Sequence, residues 1–170
     1  MKKVIILILT VFTFTLLSAE DSKKEYQNVS MGINYGASQL NKDGDDMLTV
    51  GFELGYEDAI NQNIALNYRL SFNSLDFDRG SLSSTTFRFG ASKSKHWKYF
   101  GVSSTAFLDA HIIRSTKEDT QYVPGVSVEL GVHLFAFSFF SVDITCGGAW
   151  DYYDGGNLSF HIGQSLTVHF

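Results

Sequence analysis

Ser159 and His161 stand two residues apart, and so do Asp109 and His111. Hydroxyl, imidazole and carboxylate are the groups from which nucleophilic catalysis is assembled, provided the fold brings all three together. Cys146 is the single thiol, so it forms no internal disulfide. Asn41 to Asp46 carries the acidic residues of a calcium loop, but its glycine falls at the fourth position rather than the sixth and no glutamate closes it, which makes it a solvated turn. The other reactive groups are scattered: Glu53, Glu57, Arg69, Arg88, Glu129, Asp143 and Asp151, with His133 and His169. Whether any of them meet depends on the elements that carry them.

The nature of those elements is plainest in the last stretch. Leu158, Phe160, Ile162, Leu166, Val168 and Phe170 alternate with Ser159, His161, Gly163, Ser165, Thr167 and His169. A period of two means an extended strand with one apolar and one small, polar face. The pattern recurs seven times before it, over Val29–Leu40, Met47–Glu57, Ile64–Asn73, Leu82–Ser92, Phe100–Ile112, Tyr122–Leu134 and Phe140–Tyr152. The stretch Leu82–Ser92 alternates least clearly. Short connections join these segments, so an antiparallel meander is expected, with basic Lys93 to Lys98 read as a turn.

The 170 residues hold one Pro and 15 Gly, a size for one domain. Lys2 and Lys3, the apolar run Val4 to Leu17 and the small residues Ser18 and Ala19 together read as a cleavable export signal. Residues 1–19 are therefore expected to be a signal peptide, 20–28 a polar leader and 29–170 the folded unit. Loss of Lys2 and Lys3 leaves 11 Lys plus Arg against 18 Asp plus Glu, a formal charge of −7. An acidic chain without a basic cluster excludes nucleic acid as a partner.

Alternation alone does not say which face points inward. The apolar faces carry more large side chains than the interior of an eight-stranded barrel can hold. All nine lysines fall outside the strands as bounded above, whereas a water-washed face would carry them. Aromatic residues gather at strand ends: Trp97, Tyr99, Phe100, Phe135, Phe139 and Phe170 at one end, and Phe72, Tyr122, Trp150, Tyr152 and Tyr153 at the other. Interfacial girdles of a membrane barrel have that distribution. The apolar face is expected outward, against lipid. Glu53, Arg69, Arg88, Asp109, Glu129 and Asp143 then point into the lumen as a charge network.

This pattern, with Phe170 closing the last strand, resembles the small eight-stranded outer-membrane β-barrels of Gram-negative bacteria, the OmpX, NspA and opacity-protein type and the transmembrane half of OmpA. The resemblance implies an all-β, antiparallel up-and-down transmembrane barrel. It also implies that Leu166, Val168 and Phe170 serve as the signal read by the barrel-insertion machinery. Further expectations are an outer-membrane location, contact with lipid and lipopolysaccharide, both chain ends in the periplasm, and a monomer. The role expected is structural or surface-interacting, without catalysis, cofactor or metal; a lipid A-modifying enzyme or a narrow solute pore is the alternative. The connections expected outside the cell are much shorter than those of the opacity proteins, which weakens an adhesin reading. A conservative change at a lumen position such as Ser71→Ala is expected to be nearly neutral.

Overall fold

The computed structural model describes residues 27–39, 46–77, 80–115, 119–152 and 156–170. Eight strands follow one another: β1 Gln27–Gln39, β2 Asp46–Ala59, β3 Ile64–Phe77, β4 Gly80–His96, β5 Phe100–Ser115, β6 Gln121–Phe137, β7 Phe140–Asp151 and β8 Asn157–His169. Each pairs antiparallel with the next, and β8 pairs with β1, so the sheet closes into an up-and-down barrel. The closing seam runs from Asn28 opposite His169 to Ser38 opposite Ser159. Closure satisfies every edge strand, which is what permits a sheet to span lipid.

The faces sort as the alternation predicts. Leu130 is 63% exposed, and Met31, Leu54, Leu108, Val128, Phe160, Ile162 and Leu166 are also exposed. Ser71, Thr86, Ser92, Thr105, Ser127 and Ser141 are buried. Such a molecule is inside out for water. An apolar belt on the outside with small polar residues inside belongs to a transmembrane barrel.

Several expectations on boundaries and facing need correction. Gln27 and Asn28, placed in the leader, open β1 opposite Asp58 and Glu57. Lys93 and Lys95, placed in a turn, continue β4 opposite Ser104 and Val102. Not every lysine therefore lies outside a strand. The two point outward and are exposed, where their long stems let the ammonium groups reach a polar interface. Ile64, expected outward, is buried, because Ile60 and Asn61 donate their backbone N–H groups to its carbonyl and fold the turn over it. Ala91 faces outward but is buried, a small side chain sheltered between Leu66 and Ala106 on the neighbouring strands. Phe135 leaves the girdle: on the same parity as inward His133 and opposite inward Ser141, it lies over the mouth of the lumen, and the register shift after it turns exposed Phe137 outward into the belt instead. The signal peptide, residues 20–26 of the leader, residues 41–45 of the acidic turn and Tyr153 lie outside the described residues.

Candidate functional site

The lumen is built in three tiers. We call the end where β1 starts and β8 finishes the lower end. The central tier is the charge network. Arg69 on β3 and Arg88 on β4 stand directly opposite each other in the register, a like-charged pair that destabilises a sheet unless carboxylates intervene. Two do. Arg69 Nη1 donates to Glu53 Oε1 at 3.0 Å and lies 2.6 Å from Glu129 Oε1. Arg88 Nη1 lies 3.5 Å from Glu53 Oε2 and 3.6 Å from Glu129 Oε2. Glu53 sits beside Arg69 on β2, but Glu129 comes from β6, so this pair crosses the lumen and ties opposite walls together. Ser71 Oγ donates to Glu53 Oε2 at 2.7 Å, and His161 Nε2 lies 3.0 Å from Glu129 Oε2.

Phe107, a large apolar residue between Thr105 and Asp109 on the inward face of β5, completes this tier. It is 1% exposed, and the guanidinium carbons of Arg69 and Arg88 lie 5.1 and 5.9 Å from its ring centre. Cations over an aromatic face are attracted by its quadrupole. Gly90 makes the room: a Cβ there would come within 2.6 Å of the Phe107 ring.

The lower tier gathers around Asp143. Ser141 Oγ donates to Asp143 Oδ1 at 2.8 Å, Thr167 Oγ1 donates to Oδ2, and His133 Nδ1 lies 3.0 Å from Oδ1. His133 Nε2 lies 2.8 Å from Ser103 Oγ. Ser103, His133 and Asp143 thus stand in the order hydroxyl, imidazole, carboxylate, whereas His161, expected near Ser159, turns to Glu129. Asn28 bridges Glu57 and His169, and Phe135 covers the mouth with its ring 5.5 Å from both His96 and His169. Between this cover and the central tier lies a cavity of ≈ 50 Å³, lined by Arg69, Ser103, His133 and Asp143 among others. That exceeds the roughly 10–15 Å³ that a single water needs.

The upper tier contains Thr86, Asp109, His111 and Asp151, beneath inward-facing, buried Ile113 and Val123. Asp109 lies opposite Arg88 in the register, yet neither of its oxygens accepts a hydrogen bond. It does not join the Arg69–Arg88 network, contrary to expectation, and Asp143 belongs to a separate tier. Leu166 and Val168 face outward and exposed, and Phe170 continues β8 by donating its N–H to Gln27 O at 2.9 Å.

Parity along each strand was enough to find the inward set. The partnerships were not available to it, because proximity across a barrel depends on stagger between strands. Phe107 alternates with polar residues on its face of β5, and the two arginines over its ring explain its place.

No family model and no curated protein matches the chain. Solved structures do. The attachment invasion locus protein Ail of Yersinia pestis aligns at 11% identity with a TM-score of 0.65, over 87% of this chain and all of that one. Neisserial surface protein A aligns at 12% identity and a TM-score of 0.65, over 89% of this chain and all of that one. The N-terminal barrel of Pseudomonas aeruginosa OprF aligns at 13% identity and a TM-score of 0.50, over 81% of this chain and 96% of that one. At such identities the likeness is one of architecture: the chain has the closed eight-stranded fold of small transmembrane barrels.

Proposed function

We propose that the protein is a barrel of the bacterial outer membrane with a structural or surface-interaction role, a closed lumen and no catalytic activity. One observation carries this reading: the apolar, exposed outer wall surrounds an interior already filled by its own ion pairs, with Phe107 wedged among them. A lumen spent on joining its walls has no room for a solute path. The lipid face meets lipid and lipopolysaccharide, the barrel is a monomer, and Leu166, Val168 and Phe170 form the surface read by the insertion machinery. Membrane fractionation of cells expressing the full chain tests the location. The outer-membrane fraction should hold the folded protein, and Phe170→Ala should leave more of it in the periplasm, sensitive to protease. Recovery of a soluble monomer without detergent would reverse the proposal.

A second reading, a hydrolase, has one observation in its favour: the order Ser103, His133, Asp143, with 2.8 Å between the first pair and 3.0 Å between the second. Nucleophile, base and orienting carboxylate are arranged this way in acyl-transfer enzymes. Against it stand a cavity of ≈ 50 Å³ and the cover of Phe135, His96 and His169. A serine-directed phosphonate distinguishes the readings. Ser103 should remain unlabelled.

A further inference from the structure

We propose that Asp109, His111 and Asp151 form a binding site for a divalent transition-metal ion of the zinc class at the upper end of the lumen. One ligand atom from each lies within 4.8 Å of the others. The three come from β5 and the end of β7, next to Gly125 on β6, which the register sets opposite both Asp109 and Asp151.

Four observations point to an ion rather than to simple filling. Asp109 is only 5% exposed, yet both its carboxylate oxygens lack a hydrogen-bond partner. A bare buried carboxylate is costly, and a cation is what removes that cost. Ser127 stands beside it, but its buried hydroxyl makes no bond of hydrogen-bonding geometry. Next, His111 Nδ1 is 2.9 Å from Thr86 Oγ1, which turns Nε2 toward the two carboxylates. Metal-bound histidines are held in this way through the other ring nitrogen. His111 Nε2 and Asp151 Oδ1 lie 2.8 Å apart, yet neither has a partner in hydrogen-bonding geometry.

Charge is the third observation. In the central tier two arginines balance Glu53 and Glu129. Neither arginine forms an ion pair with Asp109 or Asp151, although Arg88 lies opposite Asp109 in the register, and a divalent ion would meet both carboxylates. In the lower tier, by contrast, Asp143 already has three partners. The last observation is Gly125. A Cβ on it would come within 2.9 Å of His111 Nε2 and press on Asp151 as well. The missing side chain leaves open the space that the three ligand atoms face.

The donor set decides the class of ion. Imidazole suits zinc, iron, nickel and copper, whereas magnesium and calcium take oxygen alone. Three protein ligands with a fourth position for water is a common zinc arrangement.

The test uses untagged full-length protein without its signal peptide, folded in detergent micelles, stripped with chelator and titrated with Zn²⁺. One equivalent should bind, and an excess of Mg²⁺ or Ca²⁺ should not displace it. Asp109→Asn and His111→Gln should abolish stoichiometric binding, and Thr86→Val should weaken it about 10- to 100-fold. Cys146→Ser should leave it unchanged. Zn²⁺ should raise the urea midpoint of the wild type and not that of Asp109→Asn. X-ray absorption at the zinc edge of the wild type needs no variant to fold, and should show oxygen donors with a single imidazole. Several imidazoles, binding that survives His111→Gln but is lost in His169→Ala, or no binding in several-fold excess Zn²⁺ would each overturn the site.

Discussion

Arg69 joins two strands that never touch along the sheet, β3 and β6, through Glu129. Removing one partner of a buried ion pair strands the other, at about 3–5 kcal/mol. Arg69→Ala is therefore expected to lower urea stability in micelles by about that much. Because Glu129 is more deeply buried than Glu53 and nearer to Arg69, adding Glu129→Ala should recover more of the loss than adding Glu53→Ala. Additive losses in both double mutants would show that neither pair is coupled. Ser71→Ala, nearly neutral by its position in the sequence, acquires a cost from its bond to Glu53. Hydrogen bonds to charged groups contribute about 1.5–3 kcal/mol, and the same titration should register a loss in that range. Inward facing was legible at Ser71, Arg69 and Glu129 alike. What each one touches was not, since a strand's period of two carries no information about the opposite wall.

Strands are the scale at which the sequence is most explicit, and β6 shows why. The alternation of β6 is unbroken over the middle of the barrel, whereas that of β8 is interrupted there by outward, exposed Gln164. An arginine at the midplane of a lipid face costs about 2–4 kcal/mol. Leu130→Arg, in the middle of β6 and well exposed, should lower folding into phospholipid vesicles by about that amount when measured against urea. Leu66→Arg, partly sheltered beside Ala91, should cost less. The ends of strands were read less well, for a physical reason. Charge and aromatic content mark where a strand leaves the hydrocarbon, not where its hydrogen bonding stops. Lys93 and Lys95 are paired within β4 past that point, and Lys95 Nζ sits 5.3 Å over the Trp97 ring. Phe135 keeps the inward parity of His133, and it is Phe137, beyond the register shift, that one extra residue turns outward.

For the molecule as a whole, the three tiers predict a closed conduit: the wild type in a planar bilayer should show no stable open conductance, and a reproducible one would contradict the tiers. The fold holds a second consequence in its seam. Phe170 N is 2.9 Å from Gln27 O, so the strand order is a ring, and the pairing of β8 with β1 is of the same kind as every other. A ring has no privileged first strand. A circular permutant that joins residue 170 to residue 27 through a short linker and reopens the chain between Asn61 and Asn63 should therefore fold in micelles to the same barrel, with a urea midpoint lowered only by the loss of the bonds from Asn63 and Ile64 to Asn61. In cells the same permutant ends elsewhere. Its yield there shows whether the geometry of closure is enough for assembly in cells or whether the order of the strands along the chain matters as well.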